Sequence, residues 1–242
     1  MELTGKVALV TGAARRLGRA IALELARGGA DIALHYHRSA EQATATGGEI
    51  TALGRRAELF RADLTDPRQI RRMFAAVGAA FGRLDILVNN AAVHDRTPIQ
   101  SLTARQWDAQ FGVNARAAAL CIRHAIALMP AGGAIVNIAD AAAMHGRADY
   151  AAYCASKAAS LALARSAARA LAGRNIRVNA VSPGLALWHE NVPDTEKSAV
   201  LEQIPMKRIG APEDIAAAVL FLIRNDYITG QDIRVDGGWH MA

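Results

Sequence analysis

The chain has 242 residues, of which 52% are hydrophobic and 21% charged, a composition that excludes a disordered chain and a collagen-like fibre. Net charge is +6, from 28 basic and 22 acidic side chains. The arginines are scattered and aromatics make up only 5%, so the stacking pattern of a nucleic-acid binder is missing and an anionic small ligand accounts for the surplus.

The longest apolar run, residues 215–223, is too short to cross a bilayer, and the first residues carry no basic-and-apolar leader. Cys121 and Cys154 have neither CxxC nor Cys/His spacing, which argues against a disulfide framework and a structural metal. The expectation is a cytoplasmic protein that engages neither membrane nor nucleic acid.

Strand-like and helix-like segments alternate along the whole chain. Residues 7–10 form a short apolar strand ending in Thr11-Gly12, and Leu17, Ile21 and Leu25 then recur at helical spacing over 17–27. Residues 32–34 read as strand two, followed by a polar helix over 39–53 that Ser39 suits as N-cap. Residues 57–61 read as strand three, and Asp66-Pro67 opens the next helix. Strand four covers 85–88, strand five 134–138, strand six 176–181 and a last strand 233–235; long helices cover 105–129 and 150–172. Continuous apolar strands separated by helices imply a parallel sheet covered on both faces and joined by right-handed crossovers. With no linker and no repeat, residues 1–242 are expected to form a single doubly wound α/β domain. Its ligand crevice lies beyond the carboxyl ends of the strands, where strand order reverses.

The loops at those ends carry the chemistry. After strand one comes Thr11-Gly12-Ala13-Ala14-Arg15-Arg16-Leu17-Gly18. Small residues let the backbone approach a pyrophosphate, and the helix start supplies N–H donors and positive dipole. Two cations there, Arg15 and Arg16, are unfavourable unless an anion joins them. After strand two comes His35-Tyr36-His37-Arg38-Ser39, without the acid that binds the ribose hydroxyls of NAD. Arg38, a hydroxyl and two imidazoles suit a 2′-phosphate instead, which implies NADPH. Asp63-Leu64 follows strand three and Asn89-Asn90-Ala91 follows strand four; the Asn89 amide is either satisfied structurally or part of the site. Tyr153 and Lys157, four apart, share a helix face, and Lys157 is expected to lower the Tyr153 pKa. Asp140 comes directly after strand five, and Cys154 reads as a packing residue.

Together, Thr11-Gly12-x5-Gly18, Asn89-Asn90-Ala91, Asn114, Tyr153-x3-Lys157 and Pro183-Gly184 resemble the short-chain dehydrogenase/reductase family, in its order and spacing, over essentially the whole chain. The resemblance implies a Rossmann-type, NADP-dependent oxidoreductase. In it, Tyr153 is the acid that exchanges a proton with substrate. Lys157 holds the nicotinamide ribose and tunes Tyr153, Asn114 supports a proton-relay water, and Pro183-Gly184 passes the nicotinamide. With the loops above, the expected cofactor contacts are Gly12, Arg15, Arg16, Leu17, Gly18, His35, Tyr36, His37, Arg38, Ser39, Asp63, Leu64, Asn90, Ala91, Tyr153, Lys157, Pro183 and Gly184.

Two departures from the common pattern stand out: Arg16 replaces the middle glycine of the first loop, and Asp140 replaces the usual serine. With the 35–39 run, both resemble the pteridine reductase branch. There the arginine reaches cofactor and pterin, and the aspartate works beside the tyrosine in delivering a proton to a ring nitrogen. A carboxyl group can hold an amino-pyrimidine edge or relay that proton, whereas a bare carboxylate repels the alkoxide of carbonyl reduction. His94 stands where that branch commonly has phenylalanine, and Ala92 where it commonly has serine. Expected substrate contacts are Arg16, Ala92, His94, Asp140, Tyr153, Leu185 and Trp188; Trp188 either supplies an aromatic wall or anchors a loop. The expected activity is NADPH-dependent reduction of a dihydropterin- or dihydrofolate-type C=N bond. The alternatives are reduction of another carbonyl or imine, of oxoacyl or sugar type, and a catalytically silent NADPH-binding regulator, which the intact Tyr153 and Lys157 disfavour. The Ala-rich helices 105–129 and 150–172 permit close packing, and the family's use of that pair as an interface implies a homotetramer.

Overall fold

The computed structural model describes residues 1–188 and 192–241. Seven strands, β1 (Val7–Val10), β2 (Asp31–Tyr36), β3 (Ala57–Arg61), β4 (Ile86–Asn89), β5 (Ala134–Ile138), β6 (Arg177–Pro183) and β7 (Asp232–Val235), form one sheet in the order β3-β2-β1-β4-β5-β6-β7. Every pairing is parallel. The helices are α1 (Arg16–Arg27), α2 (Ala40–Ala52), α3 (Pro67–Phe81), α4 (Ala104–Phe111), α5 (Ala117–Leu128), α6 (Ala142–His145), α7 (Ala151–Leu171), α8 (Asp194–Gln203) and α9 (Pro212–Arg224).

The strands alternate between two apolar layers, because successive side chains leave opposite faces of the sheet. Ala8 and Val10 join the layer built with α1, α2 and α9, whereas Val7 and Leu9 join the layer built with α3, α5 and α7. Helix α3 begins as its sequence dictates: the Asp66 carboxylate accepts from the Arg68 N–H at 2.8 Å, with Pro67 in the first turn. Strand order reverses between β1 and β4, so the crevice opens over Thr11–Gly18 and Asn89–Ala91. Among the described residues no helix is long and apolar enough to cross a membrane.

Two elements differ from the sequence expectation in ways that matter for the site. Strand β2 runs through Tyr36 rather than ending at residue 34. Ile32, Leu34 and Tyr36 therefore face the α1 layer, while Ala33 faces the other and His35 alternates inward with it. The single helix expected over 105–129 is broken into α4, a π-turn over Gly112–Arg116, and α5. The wider turn inserts a residue into an otherwise regular helix, and the inserted turn contains Asn114. Helices α6, α8 and α9 had no sequence assignment.

Candidate active site

The loop after β1 is held by bonds from three strand ends. Gly12 sits at φ +65 and donates its N–H to His35 Nδ1 at 3.0 Å. The Thr11 hydroxyl accepts from the backbone N–H groups of Asn90 (2.9 Å) and Ala91 (3.0 Å), and the Asn90 amide donates to the carbonyls of Thr11 (2.8 Å) and Gly12 (3.2 Å). A Cβ at Gly18 would lie 2.2 Å from the Gly12 carbonyl oxygen, so only glycine lets α1 start this close to the loop. Leu17, beside it, is partly buried against the α1 layer. Arg15 and Arg16 are exposed at the start of α1, whose first turn holds no acidic residue. Arg16 takes φ +53, left-handed backbone that costs a non-glycine residue roughly 1 kcal/mol. A backbone shaped for glycine thus presents a cation.

His35 does not belong to the crevice surface. It is buried at 2% exposure, its Nδ1 is used by Gly12 and its Nε2 lies 3.1 Å from the Ala62 carbonyl. Burial pushes its pKa down to about 4, against the raising effect of the Ala62 bond, so the ring is neutral and staples the glycine loop instead of meeting phosphate. Tyr36 is also turned away, packed partly buried on the α1 layer. The crevice at the end of β2 keeps His37, Arg38 and Ser39. Ser39 occupies the N-cap position of α2, but its hydroxyl makes no capping bond. Next to them Asp63 accepts from the Thr65 N–H (2.9 Å) and hydroxyl (2.7 Å). Burial raises its pKa, but the Thr65 donors and the charges of His37 and Arg38 hold it below the usual carboxylate range. Leu64 is buried beneath.

On the other side of the reversal, the Tyr153 hydroxyl donates to Asp140 Oδ2 at 2.5 Å, and Asp140 Oδ1 accepts from the Ala142 N–H at 2.7 Å in the turn that opens α6. Asp140 is partly buried. Lys157, only 4% exposed, donates its ammonium to the Ile138 carbonyl at 2.7 Å. Burial lowers its pKa to about 8, with Asp140 opposing. The expectation that Lys157 lowers the Tyr153 pKa is overturned: Tyr153 is pushed well above its ordinary value, first by burial and then by the charge and hydrogen bond of Asp140. The Lys157 ammonium stands 5.9 Å from the Tyr153 ring centre and spends its bond on Ile138, so burial and the carboxylate set the direction of the phenol's shift.

Asn114 reaches from the π-turn to the loop after β4. Its Oδ1 accepts from the Val93 N–H at 2.9 Å, and its amide donates to the Val93 carbonyl (3.0 Å) and the Ser156 hydroxyl (2.9 Å). Thr11, Asn89, Asn114, Cys121, Ile138 and Lys157 share a small cavity. Asn89 donates to Asn137 Oδ1 at 2.9 Å, while its own Oδ1 is the one buried side-chain polar atom without a partner among the described residues. Both cysteines are buried, in keeping with the packing role expected of Cys154.

Tyr150, absent from the sequence reading, adds an aromatic ring beside Tyr153. Its ring stacks on His94 (4.4 Å, 11° between planes), and His94 stands edge-on to Tyr153 at 4.3 Å. The signal available was spacing: Tyr150 precedes Tyr153 by one helical turn. Ala92 is exposed beside them. Gly184 presses against the C-terminal turn, where a Cβ would lie 2.7 Å from Asp236, and the Leu185 carbonyl accepts from the Gly210 N–H at 3.0 Å. Trp188 is partly buried at the end of that segment.

Known proteins resemble the chain along its whole length. A family model described as Enoyl-(Acyl carrier protein) reductase matches residues 12–240. The chain is 39% identical, over the full length of both, to 3-oxoacyl-[acyl-carrier-protein] reductase FabG of Staphylococcus aureus. It is 36% identical, again over both full lengths, to galactitol 2-dehydrogenase of Agrobacterium fabrum. Among solved structures, a blue fluorescent protein from a metagenomic library in complex with NADPH superposes with a TM-score of 0.93 at 39% identity, covering 99% of each chain. A Serratia marcescens short-chain dehydrogenase/reductase mutant gives 0.94 at 33% identity, covering 99% of this chain and 100% of that one. By full-length likeness in sequence and fold, the chain belongs to the short-chain dehydrogenase/reductase family.

Proposed function

We propose that this chain is an NADPH-dependent reductase of carbonyl substrates of the oxoacyl kind, in which Tyr153 and Asp140 together handle the proton. The observation that carries the reading is the 2.5 Å bond from the Tyr153 hydroxyl to Asp140, in a family whose named relatives include a 3-oxoacyl reductase at 39% identity.

The donor set fits NADPH. Arg15 and Arg16, with no acid in the first turn of α1, suit the pyrophosphate. His37, Arg38 and Ser39 suit the 2′-phosphate. Asp63, Leu64, Asn90 and Ala91 line the way along the strand ends, and Lys157, Tyr153, Pro183 and Gly184 would hold the nicotinamide end. Bound there, NADPH supplies the hydride.

This chain's residues supply the rest. The carbonyl carbon gains the hydride and the oxygen takes the Tyr153 proton, leaving an alcohol. The Tyr153 proton leaves its bond to Asp140 as it passes to the substrate oxygen, and the carboxyl stays beside the phenol to help return a proton to it. Lys157 holds the ribose, and Asn114 fixes the loop after β4 against α7.

The second reading is the pteridine one, favoured by a carboxyl rather than a hydroxyl against Tyr153. An ionised Asp140 suits a ring that presents amino and N–H donors. Following NADPH oxidation with a 3-oxoacyl thioester and with a dihydropterin separates the two. Turnover of the thioester with an inert pterin supports the first, and the reverse replaces it with the second. Tight NADPH binding with neither turned over would make the chain a silent binder. The packing of α5 and α7 with a second copy, in a homotetramer, belongs to the same proposal and is read by sedimentation.

A further inference from the structure

We infer that Arg147, mounted on the Tyr150–His94 stack beside Tyr153, selects substrates that carry a carboxylate or phosphate group. The inference rests on the carbonyl-reductase reading and names its substrate class.

Four rigid groups form a column. The Arg147 guanidinium lies 4.4 Å from the Tyr150 ring centre, Tyr150 stacks on His94 at 4.4 Å, and His94 meets Tyr153 at 4.3 Å. The turn beneath is fixed, with the Tyr150 N–H donating to the Arg147 carbonyl at 2.9 Å. The column thus brings a cation to the Tyr153 side of the crevice.

Among the described residues Arg147 forms no ion pair, whereas nearby Arg96 pairs with Asp149. Its side chain is exposed, so its face stacks on an aromatic ring while its fork of donors, suited to two anionic oxygens, is left to a ligand. Its charge reaches the site, where it opposes Asp140 in pulling the Tyr153 pKa down. That opposition matters for specificity. Asp140 presents a carboxyl group where substrate enters, and an anionic substrate needs a compensating cation. Arg15 and Arg16 belong to the start of α1, and on the Tyr153 side the Lys157 ammonium is buried and bonded to Ile138, which leaves Arg147 as an exposed cation there.

The test uses the NADPH holoenzyme and cofactor fluorescence to measure binding of 4-oxopentanoate, its methyl ester and 3-oxobutyl phosphate. The wild type is expected to bind the acid or the phosphate roughly tenfold tighter than the ester, as a charge-assisted bond requires. Arg147→Gln should remove that preference and leave the ester unchanged, and Arg147→Lys should restore part of it. Whichever anion loses more identifies the group. No preference in the wild type, or equal weakening of ester and anions in Arg147→Gln, overturns the inference. Preferential anion binding without NADPH oxidation supports the Arg147 assignment and removes the carbonyl reading instead.

Discussion

The two sides of the crevice are built by different means. On the β1–β3 side, side chains bond to backbone: Thr11, Asn90 and His35 tie the glycine loop, and the exposed cations Arg15, Arg16 and Arg38 stand outside that scaffold. On the β4–β6 side, the decisive contacts are between side chains: Tyr153 with Asp140, Asn114 with Ser156, and His94 with Tyr150. Backbone staples make one phosphate-shaped loop and tolerate little change. Side-chain pairs can be exchanged one at a time, as with Asp140 for the usual serine, whereas the departure on the loop side, Arg16, keeps the left-handed backbone of the glycine it replaces.

The largest expected effect separates the sides outright. Tyr153→Phe removes the transferable proton and should lower kcat by roughly a thousandfold, while NADPH affinity, set mainly by the charged loops after β1 and β2, stays nearly unchanged by isothermal titration. Equal loss of both would show that Tyr153 is structural.

A second change breaks the staple. His35 keeps a pKa of about 4 when folded, against 6.5 as the ordinary value. The unfolded chain therefore takes up the proton first as pH falls. The stability that neutral His35 contributes is full above about 6.5 and is lost as pH drops toward 4, about 3 kcal/mol in all. Urea unfolding at both ends of that window should show a clearly smaller acid loss for His35→Gln than for the wild type; parallel losses would contradict the buried, neutral assignment.

The same residue shows where the sequence stopped being legible. Strand and helix alternation placed the sheet, its layers and the crevice, because apolar periodicity depends on burial alone. Ending β2 two residues early turned His35 and Tyr36 into loop ligands, whereas continued alternation sends His35 into the interior. The π-turn under Asn114 left no trace, since an extra residue in an Ala-rich helix hardly disturbs its periodicity. Tyr153, Lys157 and Asp140 were legible by spacing. The direction of the Tyr153 shift was not, because it depends first on the burial of the phenol and then on a 2.5 Å contact with Asp140, neither of which spacing reports.

A smaller effect sharpens the cofactor side. Arg38→Ala should weaken NADPH by about 1.5–3 kcal/mol and NADH hardly at all. Equal weakening would reject the 2′-phosphate role.

The most direct test of the account is the pH profile of carbonyl reduction in the wild type and in Asp140→Ser. Because the Asp140 charge and hydrogen bond help to raise the Tyr153 pKa, the alkaline fall of kcat/KM, where Tyr153 loses its proton, is predicted to lie at higher pH in the wild type than in the serine variant. Superimposable profiles would contradict it.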